Sequence, residues 1–216
     1  DLETALQKSV VLIKPGPPIL NRINLSFKGY QDRNELERKA QIQWHWKSDP
    51  LNFPYEVQYS NTFDWDRGFA REGIKTANGD IDYKKTELAC HYIKSYGFYI
   101  DPAKNPRIDD FDTIVEICKK RGWNLVFNLL AENTEMGGKL VGDDLLFLMR
   151  RNRDFLVDRY QKMGAMVVDN LEDVASDYYT DQDWTTEHYT EEGRHVIARN
   201  VADSLRKFYP RQFTEI

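Results

Sequence analysis

Apolar residues in the C-terminal half of this chain recur with two alternating periods. In DDFDTIVEICKKRG, residues 109–122, Phe111, Ile114, Val115 and Cys118 share one helical face, with Asp109 or Asp110 placed to cap the start and Gly122 to end it. The next stretch, WNLVFNLL over 123–130, is a continuous apolar run that suits a strand buried on both faces. A loop, AENTEMGGKLVG, leads into a long helix from about Asp143 to Met163, whose inner stripe is Leu145, Leu148, Met149, Asn152, Phe155, Leu156 and Tyr160. Gly164 stops it, and AMVVD over 165–169 is a second buried-strand run. Strand, helix and strand in that order predict a right-handed parallel crossover. The last helix, about Glu191 to Phe208, is expected to bury Ile197, Val201, Leu205 and Phe208. Thr190 is its expected N-cap, and Glu191 and Glu192 complement the positive end of the helix dipole. The half reads as α/β with a parallel sheet.

Residues 1–108 carry a weaker pattern. SVVLIK suits a strand, and 32–44 and 82–96 suit helices. Between them lies an aromatic-, Pro- and Asp-rich stretch, 44–73, expected to form long loops. The division that follows is a loop- and aromatic-rich region, 1–108, packed on the core, and an α/β region, 109–216. Trp44, Trp46, Trp65 and Tyr55 either stack on sugar rings or fill the core.

At 216 residues the chain is long enough for one good-sized core. A net charge of -5, with acids and bases interspersed, offers no basic stripe and argues against nucleic acid as a partner. Cys90 and Cys118 have no C-x-x-C spacing, and Cys118, on a helical apolar phase, is expected to be a buried thiol rather than a disulfide partner or ligand. There is neither a run of about 18 apolar residues nor a signal-peptide pattern at the start.

The chemistry concentrates before the last helix. Ligands of parallel α/β sheets lie outside the carboxyl ends of the strands, so Glu132-Asn133-Thr134 and Asp181 to His188 should face one crevice. A histidine there with a carboxylate to hold its tautomer is the base half of a Ser-His-Asp system. Asp183 is the first candidate for that carboxylate, with Asp181 and Glu187 behind it. Thr185, Glu132 and Asn133 are the expected substrate-binding residues. His195, four residues after Glu191, suits a surface pair better than a metal site; His45 and His91 read as packing residues. No metal or cofactor is implied.

Apolar strand, long helix, second strand ending in Asp, then a polar loop with His188 ahead of YTEEGRHVIARNVADSL: this order resembles the C-terminal part of the SGNH, or GDSL-type, hydrolase superfamily, with Gly193 and Ala198 matching its terminal helix. Within it, FDTIVEICKKRGWNLVFNLLAEN is most similar to the DltD-like (D-alanyl-lipoteichoic acid) cell-envelope proteins, Asn133 falling on their Asn. The resemblance covers roughly 100–110 residues at the C-terminal side. It implies a three-layer α/β/α sandwich, ester hydrolysis or acyl transfer on an acylated cell-envelope polymer or glycan, and an extracytoplasmic protein tethered by an N-terminal membrane segment. Two departures stand out. Where the family has Asp three residues before its His, this chain has Thr185, and no Gly-Asp-Ser or G-x-S-x-G occurs; among seven serines only Ser26 has a loosely similar setting. The nucleophile is then expected upstream of Asp1, or the chain is a degenerate scaffold. The rival readings are a non-catalytic module that binds a glycan or partner, and a purely structural component of an envelope complex.

Overall fold

Short polar side chains set most of the helix boundaries. The computed structural model describes residues 59–185 and 188–208, with Lys47 and Leu51 besides, all within the unit Trp46–Ile216. SVVLIK, the segment 32–44, Ser26, Trp44, His45, Trp46, Tyr55 and Glu187 lie outside the described residues. Helix α1 is Thr62–Glu72, where the Asn61 side chain accepts from the Asp64 N–H at 2.8 Å. Helix α2, Tyr83–Tyr96, starts in the same way on Asp82, which takes the Lys85 N–H at 3.0 Å. Helix α3 is Pro106–Arg121. Strand β1, Val126–Leu129, is followed by helix α4, Thr134–Leu140, and helix α5, Asp143–Lys162. Strand β2, Met166–Asp169, a 3-10 turn at Ser176–Tyr178 and helix α6, Glu191–Phe208, complete the order.

The two strands pair in parallel, Val126 opposite Met166 through Leu129 opposite Asp169. The architecture is therefore mixed α/β, mostly helical, with a two-stranded parallel sheet among the described residues. Helix α5 makes the link. Its Leu145, Leu148 and Met149 are buried with Trp65, Leu88, Tyr92 and Ile93 of α1 and α2. About three turns later its Tyr160 packs with Val115 of α3 and, across the sheet side, with Phe127 and Val167. Asn152 sits mid-helix between these clusters, where its amide accepts the Ile100 N–H at 3.0 Å and donates to the Phe98 carbonyl at 2.7 Å. The amide thus gives an otherwise irregular connection the two hydrogen bonds that a strand partner would supply.

Helices α5 and α6 lie where the apolar spacing puts them, and the Thr190 cap is present, its hydroxyl accepting the Gly193 N–H at 3.4 Å. Several expectations change. The stretch 44–73 is not loop throughout, because Asn61 nucleates α1, which buries Trp65 in the core at 5% exposure. Neither Asp109 nor Asp110 caps α3: Asn105 does, with Pro106 at the first helical position supplying a preset φ. Its buried side is consequently Ile108 and Val115, while Phe111 and Ile114 are 40% and 41% exposed. β1 is four residues long and only partly covered, with Trp123 and Leu130 outside it and exposed. Of the four residues expected to be buried on α6 only Ile197 is; Val201 and Leu205 are half-buried and Phe208, in the final turn, is half exposed. Cys90 and Cys118 are both free thiols, Cys90 buried and Cys118, against expectation, only half-buried. No described helix is long and apolar enough to cross a membrane.

Candidate functional site

The chain leaves both strands at the same end of the sheet. After β1, Ala131, Glu132 and Asn133 are all buried, and the Glu132 N–H donates to the Leu171 carbonyl at 3.0 Å, joining the two exits beyond the last paired residues. Asn133 caps α4 by accepting the Met136 N–H at 3.0 Å, and its amide nitrogen donates to the Ser176 hydroxyl at 3.1 Å. Its carbonyl accepts from the Tyr92 hydroxyl at 3.1 Å, so α2 reaches the same place. Asn133 therefore holds three elements together with one residue.

After β2, Asn170 is fully buried and bridges Asn128 on one side to Asn200 of α6 on the other, at 2.7 and 2.8 Å. The chain then runs through the Ser176–Tyr178 turn into the polar loop, whose two ends close on each other. Tyr179 and Tyr189 form an antiparallel bridge, their rings edge-on with centroids 5.4 Å apart. The Tyr189 hydroxyl donates to the Ala131 carbonyl at 2.7 Å, which ties the loop neck to the exit of β1. Gly193 makes room for this. A Cβ there would lie 3.0 Å from the Tyr178 carbonyl oxygen and 3.0 Å from the Tyr189 Cβ, so any side chain would press the first turn of α6 a few tenths of an ångström away from the neck.

His188 stands at that neck. Its carbonyl accepts from both the N–H and the hydroxyl of Thr180, at 2.8 and 3.1 Å, while its side chain is exposed. Thr185 is half-buried in the loop. Asp183 is turned elsewhere: its Oδ2 accepts from Lys84 Nζ of α2, and the neighbouring Trp184 ring rests 3.8 Å, centroid to centroid, from His91 of α2. Asp181 accepts the Asp183 N–H at 3.0 Å. In this arrangement neither aspartate is joined to the His188 imidazole. His195 makes the surface approach to Glu191 that the spacing implies, at 3.9 Å.

Behind the neck lies a layer of buried hydroxyls. Burial, then the neighbouring Tyr189, Glu132 and Tyr92, pushes the Tyr179 hydroxyl far above the usual tyrosine range. Burial and Glu132 do the same to Tyr92. The Glu132 carboxylate, 8% exposed as a residue, thus faces two phenols that remain protonated and able to donate. The Tyr179 hydroxyl has no hydrogen-bond partner among the described residues. Chemically, the arrangement offers an exposed histidine at the loop neck, a buried layer of amide and phenol groups near the exit of β1, and carboxylates within the same loop. Among the described residues no three His, Cys, Asp or Glu side chains are grouped to hold a metal ion.

Glu132, Asn133 and the stretch around His188 are thus brought to one end of the sheet, and Asp183 is placed on α2 instead. Sequence reasoning missed Tyr92, Ser176, Tyr179 and Tyr189. Tyr189 had a local signal, since it directly follows His188 ahead of the capping Thr190; Tyr92, from 41 residues before Asn133, had none. No protein-family model, curated protein or solved structure matches this chain.

Proposed function

We propose that this chain is the C-terminal portion of an SGNH-like serine esterase or acyltransferase, built on a three-layer α/β/α sandwich and acting on an acylated cell-envelope polymer or glycan. The observation that carries the reading is the loop neck: the bridge from Tyr179 to Tyr189 and the Tyr189 bond to Ala131 put His188 beside the carboxyl end of β1. In this reading a serine supplied from upstream of Asp1 attacks the acyl carbonyl, and His188 takes its proton. Asp183, once released from its pair with Lys84, orients the imidazole and stabilises its charged form, and Glu132, Asn133 and Thr185 bind substrate. The protein works outside the cytoplasm, tethered through an N-terminal membrane segment, without nucleic acid and without a cofactor.

The assay is p-nitrophenyl acetate hydrolysis by the chain and by a form extended at its N-terminus. Activity confined to the extended form and abolished by His188→Ala is the expected result. An inactive extended form that is folded overturns it.

A second reading, a non-catalytic binding module on a degenerate scaffold, is favoured by one specific observation. Asp183 is paired with Lys84, and beside it Trp184 is 45% exposed. That reading predicts quenching of Trp184 fluorescence by a glycan, lost in Trp184→Phe, with no hydrolysis in either form.

A further inference from the structure

We propose that Lys84 is a positioning residue for this site: its ion pair with Asp183, together with the Trp184–His91 contact, docks residues 183 and 184 on α2 and withholds the Asp183 carboxylate from His188. The inference rests on the reading of His188 and Asp183 given above and deepens it.

Lys84 and His91 are seven residues apart on α2, two turns along one face and about 10 Å apart along the axis. Adjacent residues of the loop meet both: Asp183 meets Lys84 and Trp184 meets His91. The docking face itself is fixed, since Leu88, Ala89, Tyr92 and Ile93 of the same helix are buried and Tyr92 is bonded to Asn133. The loop end is fixed too, by Thr180 on the His188 carbonyl. What can change is the link between them. The Lys84 and Asp183 side chains are 71% and 64% exposed, and pairs that open to water are weak and screened by salt.

The chemistry follows from charge. An ammonium on the Asp183 carboxylate cancels the negative potential that would stabilise a protonated imidazole, so a docked Asp183 supports His188 poorly as a base. The Asp183 hydrogen bond and charge, with smaller help from Asp181 and Asp82, raise the Lys84 ammonium above its ordinary range. An anionic group on an incoming substrate would compete for Lys84 and free the carboxylate, coupling substrate arrival to orientation of the ring.

The test is NMR titration of the imidazole signals in the full chain, with His188 assigned by its loss in His188→Gln. Lys84→Met should raise the His188 midpoint by about one pH unit, and Lys84→Arg should restore it. In the Asp183→Asn background Lys84→Met should leave the midpoint where it is. An unmoved midpoint in Lys84→Met overturns the proposal, and so does a rise that persists in Asp183→Asn, which is a direct charge effect of Lys84. A midpoint that moves as stated, with no ester hydrolysis in the extended protein, supports the hold of Lys84 on Asp183 and overturns the hydrolase reading instead.

Discussion

Two tyrosines at the loop neck have the same ring environment and opposite hydroxyl environments, and that difference predicts opposite consequences of removing a single oxygen. Tyr189 and Tyr179 are 8% and 4% exposed and touch edge to face. The Tyr189 hydroxyl donates to Ala131 at 2.7 Å, whereas the Tyr179 hydroxyl is buried without a partner among the described residues. Substitution by Phe keeps both rings. Tyr189→Phe forfeits a hydrogen bond worth about 1 kcal/mol net and leaves a buried carbonyl unpaired, for a total cost of about 2 kcal/mol. In a chain of this size that lowers Tm by about 4–8 °C. Tyr179→Phe removes a hydroxyl whose desolvation nothing offsets, so it should be neutral or stabilise by up to about 1 kcal/mol. Urea unfolding followed by circular dichroism, with m values checked for equality, measures the gap of about 2–3 kcal/mol between the two variants. Equal losses, or a larger loss in Tyr179→Phe, would refute the assignment of the neck bond and with it the placement of His188.

Leu148→Ala, at a side chain with no exposed surface in the core shared by α1, α2 and α5, should cost about 2–5 kcal/mol while unfolding stays a single transition; separate transitions for 59–100 and the rest would count against a shared core. Hydrogen bonding from Arg159 holds the Asp112 carboxyl below its ordinary range. A depressed carboxylate contributes stability above its unfolded pKa and loses it as pH falls through the folded pKa, so Asp112→Asn should cost about 1 kcal/mol at pH 7 and progressively less as the medium is acidified past the ordinary carboxylate range, as read in denaturant titrations. Burial pushes the Cys90 thiol up to about 11 from an ordinary 9.0, so at pH 8 its smaller thiolate fraction, partly offset by the greater nucleophilicity of that thiolate, should make it react with a disulfide reagent about 10-fold more slowly than an unperturbed thiol, as timed in Cys118→Ala. A matching rate would show the thiol to be open to solvent.

Where apolar spacing governs burial, the fold was legible: Leu145, Leu148, Met149 and Tyr160 of α5 all face inward as their period requires. Helix α3 shows how a correct period can be only partly right about burial. Asn105 and Pro106 start it a turn earlier than the acidic run suggested; Val115 is buried as its period requires, Ile108 joins it, and Phe111, in T-shaped contact with Phe127 and Tyr160, and Ile114 stay exposed. Helix α1 was hidden because its apolar residues are aromatic and separated by acids, so that Asn61 as a cap was the informative signal. At the candidate site, residues close in sequence to His188 and Asn133 were visible, but partners across the chain were not. Tyr92 and Lys84 arrive on α2, and nothing local to either distinguishes it from an ordinary helix residue. Asp183 illustrates the limit most clearly, since nearness in sequence to a histidine does not decide between that ring and an ammonium arriving from 99 residues upstream.

The Asn152 side chain has a consequence for how this chain tolerates change in length. Because one amide reads the carbonyl of Phe98 and the N–H of Ile100, adding or deleting a single residue there would set like against like, donor facing donor and acceptor facing acceptor. The following stretch, 101–104, turns on Asp101, whose side chain accepts the Ala103 N–H and whose carbonyl accepts the Lys104 and Asn105 N–H groups. Length variation between α2 and α3 should therefore be absorbed after Ile100 and rejected before it.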